Sequence, residues 1–141
     1  MIWPHQAACA FVLSIDVDAD LPLLAEDPAN VERIKSRSAG NYGPEHGAWR
    51  LAALLADLGV LAHWFVPGEV ADRYPDLVRA LHAAGHGIGV HGHRHLDFDR
   101  LTLAEQVAEM GSGRAAIERV VGEAPSGLRT PAGEWAAGFA V

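Results

Sequence analysis

Two carboxylates and a pair of histidines have the types and spacing of metal ligands. Asp16 and Asp18 stand two residues apart after the apolar residues 7–15, and His91 and His95 stand four apart at the end of a short β-prone segment. Neighbouring carboxylates repel each other unless a cation neutralises them. Imidazole is a common ligand of borderline divalent metals. Residue type and spacing therefore favour a metal site built from Asp18, His91 and His95.

Such a site would suit catalysis better than structural support. One carboxylate and two imidazoles leave coordination positions open, which a catalytic metal requires. Asp16, beside the ligand Asp18, could then take a proton from water. Arg129 could hold Asp16 ionised and oriented or contact a substrate, and a plain surface ion pair is the alternative.

Simpler roles are open for each of these polar residues. An Asp-x-Asp pair is equally compatible with two side chains that cap loop amides. His86 and His93 lie close to the candidate ligands, and we expect them to pack or to support the ligands rather than to bind metal. An ordinary core or surface role is expected for His5, His46, His63 and His82.

Apolar runs that alternate with helical patterns indicate an α/β fold with a parallel sheet. Strands are predicted at residues 7–15, 60–66, 88–91 and 127–130. Helices are predicted from Pro44 to Leu58, over 70–84, and from Thr102 to Val121, while the polar stretch 20–42 is predicted to be a long loop. The order is βαβαβαβ, in one domain over residues 1–141. In such a fold, functional groups collect at the carboxyl ends of the strands, where the polar residues above lie.

Glycines and a capping pattern set the predicted helix ends. Gly59 stands where a C-cap glycine belongs, after the helix that Pro44 opens. Thr102 and Glu105 have the spacing of a capping box at the start of the last helix. Gly111 and Gly113 are expected to weaken the middle of that helix.

Length and charge narrow the class of protein. The chain has 141 residues, of which 50% are apolar and 21% charged, as in one globular domain. It has room for about four β/α units, whereas a complete β/α barrel needs roughly 200 residues or more. The net charge is −7, without a cluster of Lys or Arg, so nucleic acid is not an expected partner.

The N-terminal apolar run also bears on location. It is too short to span a bilayer, has no basic residues before it and leads into carboxylates rather than a cleavage site. We therefore predict a cytoplasmic protein that does not bind membranes. The single cysteine, Cys9, is expected to be a small buried core residue without a disulfide partner.

Four motifs occur in an order that resembles a known family. They are Asp16-Val17-Asp18, Trp64-Phe65-Val66-Pro67-Gly68, residues 85–95 from Gly85-His86 to Arg94-His95, and Gly127-Leu128-Arg129-Thr130-Pro131. Together they resemble the NodB-type polysaccharide deacetylases, carbohydrate esterase family 4. Val17 and the stretch Asn41-Tyr42-Gly43 are similar to the branch that contains peptidoglycan deacetylase-like proteins and cyclic-imide or allantoin-type amide hydrolases.

The resemblance implies a fold, a site and a reaction. The chain would be the N-terminal half of a distorted (β/α) barrel. Asp18, His91 and His95 would bind a divalent metal, with zinc expected and cobalt or nickel as alternatives, while Asp16 acts as the general base and Arg129 orients it. The implied reaction is metal-dependent hydrolysis of an amide carbon–nitrogen bond with metal-bound water as nucleophile, most commonly N-deacetylation of an amino-sugar polymer such as peptidoglycan.

Departures from the family pattern leave other functions open. Family members continue beyond the Arg-x-Pro motif with the remaining strands, an apolar pocket wall and, in many, a histidine that protonates the leaving amine. Glu69 and Trp49 replace residues typical of the closest branch. The alternatives are a metal-binding pseudoenzyme or interaction module, and a cyclic-imide or allantoin-type amide hydrolase. The expected partners are a carbohydrate or small amide substrate and further copies of the chain that cover an open barrel edge.

Overall fold

Three parallel strands position the polar strand ends in the computed structural model, which describes Trp3 and residues 6–134. The strands are β1 (Ser14–Asp16), β2 (His63–Val66) and β3 (Gly87–Val90), in the order β1-β2-β3. Asp16 pairs in register with Phe65, and Phe65 pairs with Gly89. The carboxyl ends of all three strands therefore meet at one edge of the sheet, as the sequence predicts.

Helices connect the strands and cover the sheet. They are α1 (Leu21–Glu26), α2 (Ile34–Tyr42), α3 (Ala48–Leu58), α4 (Gly68–Arg73), α5 (Pro75–Ala83) and α6 (Leu103–Val121). The alternation of strands and helices confirms the predicted α/β class with a parallel sheet. Fully buried apolar side chains fill the space between sheet and helices, among them Trp64, Val66, Leu81, Phe98 and Ile117.

The first strand is shorter and less covered than its apolar sequence predicts. Regular strand structure begins only at Ser14, and the side chains of Phe11 and Val12 are 86% and 76% exposed. Among the described residues β1 pairs only with β2, so it forms an edge of the sheet in this part of the chain. The prediction of a buried Cys9 is also wrong, because Cys9 precedes the strand and is exposed.

The stretch 20–42 is helical rather than a long loop. It contains α1, α2 and a 3₁₀ turn at Pro28–Glu32 between them. Buried Asn30 holds this region together: its side-chain amide donates to the carbonyl of Leu23 at 2.7 Å and its Oδ1 accepts from Ser36 at 3.2 Å. The polarity that suggested a loop therefore serves local hydrogen bonds that link short helices.

Two predicted helices differ in extent. The helix expected at 70–84 is two helices, since α4 ends at Arg73 and α5 begins at Pro75, whose nitrogen cannot donate to the preceding turn. The helix expected from Pro44 begins with a π-helical turn at Gly43–Gly47. Its end is confirmed, because Gly59 adopts a left-handed conformation with φ of 64°.

The last helix is continuous and depends on one of its glycines. Its capping box between Thr102 and Glu105 is confirmed. Gly113 faces the chain after β3, and a β-carbon there would lie 2.1 Å from the carbonyl oxygen of Gly92. A β-carbon added at Gly111 would have no neighbouring atom within 4 Å. Gly113 is therefore a site of close backbone approach, and the expected weakening does not interrupt the helix.

The fourth predicted strand, at 127–130, is reduced to a short pairing. Leu128 and Val90 form a parallel bridge. The amide of Arg129 donates to the carbonyl of Val90 at 2.9 Å, and the amide of Val90 donates to the carbonyl of Gly127. This contact places Arg129 beside the ends of the other strands.

None of the helices in the described part of the chain is long and apolar enough to cross a bilayer. The cytoplasmic location and the single domain over residues 1–141 stay predictions.

Candidate functional site

Asp18, His91 and His95 converge at the carboxyl edge of the sheet. One ligand atom from each lies within 4.8 Å of the others. Asp18 Oδ1 is 3.7 Å from His91 Nε2, and Asp18 Oδ2 is 3.7 Å from His95 Nε2. These separations exceed a hydrogen bond and leave space between the three groups. The sequence-predicted ligand set is thus brought together by residues far apart in the chain.

The hydrogen bonds around the three groups fit a bound cation. His91 Nδ1 lies 2.9 Å from the carbonyl oxygen of Arg129. Because a carbonyl can only accept, Nδ1 carries the proton and Nε2 presents a lone pair toward Asp18. Asp18 Oδ1 is buried and has no hydrogen-bond partner among the described residues. An orphaned carboxylate oxygen and a correctly oriented imidazole are what a divalent cation would satisfy.

Burial shifts the pKa values of Asp18 and His91. It raises the pKa of Asp18 above its usual value, against the opposing charges of His95 and His91. It lowers the pKa of His91, despite the hydrogen bond to Arg129 and the nearby Asp18. Loss of hydration disfavours the charged form in both cases. An unprotonated His91 is the form that binds metal.

Asp16 points to a different partner from Asp18. Its Oδ1 accepts a hydrogen bond of 2.5 Å from Arg129 Nη1. Arg129 Nη2 donates to Ser14 Oγ at 2.6 Å, and the guanidinium lies 4.2 Å from the centre of the Phe65 ring. Two hydrogen bonds and an aromatic face therefore fix this guanidinium.

A cleft of about 570 Å³ borders both aspartates. Apart from these carboxylates its walls are apolar, small or aromatic, and they include Ile15, Val17, Pro22, Tyr42, Pro44, Leu51 and Trp64. Residues of α2 and of the π-helical turn line part of the cleft. The helix α2 lies in the stretch predicted to be a loop, whereas the turn lies in the helix predicted from Pro44. The cleft could receive a substrate next to Asp16 and Asp18.

Three of the other histidines have local partners. His86 is buried, and its Nδ1 accepts from the amide of Ala62 at 3.2 Å, which agrees with a packing role. His82 contacts Glu123 at 2.8 Å, and His46 lies against the ring of Tyr42. His63 is half-buried on β2, and His93 is half-buried in the loop between the ligands. His5 lies outside the described residues.

Two site residues escape sequence reasoning. Ser14 supports Arg129, and its signal is the two-residue period that places it on the same side of β1 as Asp16. Glu109 is buried in α6 and bonds to the loop that carries the histidines. Its signal is an acidic residue within the buried stripe of Gln106, Met110 and Gly113.

Comparison with known sequences identifies the family. The sequence profile of the family described as "Polysaccharide deacetylase" matches residues 41–140. The chain therefore belongs to the polysaccharide deacetylase family.

Individual relatives carry related names. Over 122 residues the chain is 26% identical to a peptidoglycan deacetylase-like protein of Gibberella zeae. The aligned region covers 85% of this chain and 36% of that protein. Over 94 residues it is 28% identical to a peptidoglycan deacetylase of Helicobacter pylori. This aligned region covers 67% of this chain and 32% of that protein. The chain spans about a third of the length of these curated relatives.

Solved structures agree on the fold. A Mycobacterium smegmatis protein assigned to the polysaccharide deacetylases superimposes with a TM-score of 0.92 at 36% identity over 97% of this chain and 48% of that chain. The allantoinase Puue superimposes with a TM-score of 0.78 at 25% identity over 89% of this chain and 47% of that chain. The chain spans about half of each, and it corresponds to part of a NodB-type barrel.

Proposed function

We propose that this chain carries the metal site and the general base of a hydrolase that cleaves amide carbon–nitrogen bonds. The proposed substrate is the N-acetyl group of an amino-sugar polymer such as peptidoglycan, the class of substrate in the names of its relatives. The observation that carries the proposal is the convergence of Asp18, His91 and His95 beside Asp16 and its arginine partner.

Three residues would hold the cation. Asp18, His91 and His95 supply one carboxylate and two imidazoles, a donor set that suits zinc and also cobalt or nickel. A cation bound there supplies Lewis acidity, which polarises a carbonyl and lowers the pKa of water. His91 is held for this task by its Nδ1 hydrogen bond to the Arg129 carbonyl.

Asp16 would take the proton from the attacking water. Its side chain is 34% exposed and borders the cleft, so water and substrate can reach it. The bond from Arg129 orients the carboxylate, as a general base requires. Ser14 and the Phe65 ring in turn limit the movement of the guanidinium.

The test combines metal content with product release. Protein purified without chelator is expected to hold about one divalent ion per chain, measured by elemental analysis, and to release acetate from N-acetylglucosamine oligomers or peptidoglycan. A chain that neither binds metal nor releases acetate would contradict the proposal. Bound metal without turnover of any amide would favour the pseudoenzyme or interaction module instead.

A second candidate activity rests on the structural likeness to allantoinase. That superposition has a TM-score of 0.78 at 25% identity, and a cyclic amide could occupy the same cleft. Ring opening of allantoin or a cyclic imide, without acetate release from sugar oligomers, would assign this activity.

Self-association is a further proposal. The edge of the sheet at β1 exposes Phe11 and Val12, and exposed apolar edges favour association. A second copy would cover this edge. Light scattering is expected to give a mass above 15.0 kDa, and a stable monomer would contradict it.

A further inference from the structure

The loop between the two histidine ligands has no regular structure of its own. Residues 91–95 lie between β3 and the following 3₁₀ turn. His95 adopts a left-handed conformation with φ of 58°, and Gly92 has φ of 70°. A left-handed conformation is unfavourable for a residue with a side chain. Contacts from outside the loop must therefore select this conformation.

The carbonyls of the loop are held from one side. The amide of Gly68, at the start of α4, donates to the carbonyl of Gly92 at 3.0 Å. The next amide, that of Glu69, donates to the carbonyl of His93 at 3.0 Å. The first turn of α4 thus fixes two carbonyl groups.

The amides of the loop are held from the other side by one carboxylate. Glu109 lies on α6 and is only 5% exposed. Its Oε1 accepts from the backbone amide of His93 at 3.0 Å and also from that of Arg94, in a shorter bond. Its Oε2 lies 3.6 Å from Arg94 Nε, but that side chain is 60% exposed.

Burial of the Glu109 carboxylate would be unfavourable without these hydrogen bonds. Removing a carboxylate from water is unfavourable unless hydrogen bonds replace its hydration. Two backbone amides donate to one oxygen here, and bonds to a charged acceptor are about twice as strong as neutral ones. The exposed ion pair with Arg94 contributes little by comparison. The main partner of Glu109 is therefore the backbone between the ligands.

We propose that Glu109 is a positioning residue for the metal site, which fixes the backbone of residues 93–94 so that His91 and His95 both face Asp18. The proposal rests on the metal site of the proposed function. It requires an acceptor at the position of Oε1, and it does not require the ion pair with the Arg94 side chain.

Three variants separate these requirements. Glu109→Gln keeps a carbonyl oxygen that can accept both amides, whereas Glu109→Met keeps the length and removes the acceptor. Arg94→Met removes the ion pair and leaves the backbone amide. Glu109→Asp withdraws the acceptor by one methylene and serves as a second test if Glu109→Met does not fold.

The measurements are zinc affinity, by competition with a coloured chelator, and the visible absorption spectrum of the Co²⁺-loaded protein. Removal of a group that supports a metal ligand typically weakens metal binding by 10–100-fold. We expect zinc affinity to fall by about this factor in Glu109→Met, together with a changed Co²⁺ spectrum. Zinc affinity should also fall in Glu109→Asp. Glu109→Gln and Arg94→Met should bind zinc within about threefold of wild type, less than half a log unit on that scale.

Other outcomes overturn the proposal. Wild-type affinity in Glu109→Met or Glu109→Asp would show that the contact does not position the ligands. An equal loss in Glu109→Gln would show that the charge matters rather than the acceptor. Amide exchange of the metal-free protein adds an independent measurement, since the His93 and Arg94 amides should exchange faster in Glu109→Met. If the wild-type protein binds no metal, the proposed function fails together with the role of Glu109. If wild type and all variants bind zinc equally well, only the role of Glu109 fails.

Discussion

Arg129 and Asp16 form a short ion pair between the first strand and the last paired segment of the described chain. The two side chains meet at 2.5 Å although 113 positions separate them. The backbone of Arg129 takes part in the same site, because its carbonyl accepts from His91 Nδ1. One residue therefore orients both the candidate base and a candidate ligand.

Asp16→Asn should separate catalysis from metal binding. The amide keeps the shape of the side chain but cannot take a proton, so acetate release is expected to fall by about 10²–10⁴-fold. Elemental analysis should find the metal content unchanged, since Asp16 is not among the three converging groups. Asp57→Asn, on the exposed side of α3, is the control. Full activity in Asp16→Asn would exclude Asp16 as the base.

Binding of metal should stabilise the folded chain. A ligand at 100 times its Kd adds about 2.7 kcal/mol to the free energy of unfolding when it binds only the folded state. Zinc is expected to raise the Tm of the metal-free protein by several degrees, and a chelator should reverse the change. His95→Ala should lose most of this increase. The same zinc response in His95→Ala would place the bound ion elsewhere.

Gly113→Ala should destabilise the protein, whereas Gly111→Ala should not. The new methyl group at 113 would meet the Gly92 carbonyl, and overpacking of this kind costs about 1–3 kcal/mol. At 111 the methyl group meets nothing, and alanine is favoured over glycine in a helix by about 1 kcal/mol. Chemical denaturation should therefore show a lower free energy of unfolding for Gly113→Ala and a higher one for Gly111→Ala. Two changes of the same sign would contradict the close approach.

His63 should make stability depend on pH. Burial, and then the charge of Arg129, lower the pKa of His63 below its usual value, so the unfolded chain binds a proton more readily than the folded chain. The free energy of unfolding should be unaffected by His63 above about pH 7, and should fall as the pH drops below about 6.5, the value for an unperturbed histidine.

His63→Phe is the matched variant for this effect. It keeps a ring against Phe65, whose centre is 4.6 Å from that of His63, and it removes the titration. Denaturation at pH 7.5 and pH 5.5 should show a smaller loss of stability in the variant than in wild type. Equal losses would assign the pH dependence to other groups.

The sequence by itself determined the local features of this protein. Capping by Thr102 and Glu105 and the turn at Gly59 depend on neighbours in the chain, and both appear as predicted. The placement of Asp18, His91 and His95 at strand ends also followed from residue order, because parallel strands bring their carboxyl ends to one edge.

Only the tertiary structure decided how these groups are supported. The need for Gly113 and the burial of Glu109 depend on segments that lie opposite them and are separated from them in sequence. Phe11 is exposed because no described segment covers it. Hydrophobic pattern reports whether a residue tends to be buried, but not which backbone group it will meet. The ligands could therefore be read from residue type and order, whereas the contacts that hold them required the packed chain.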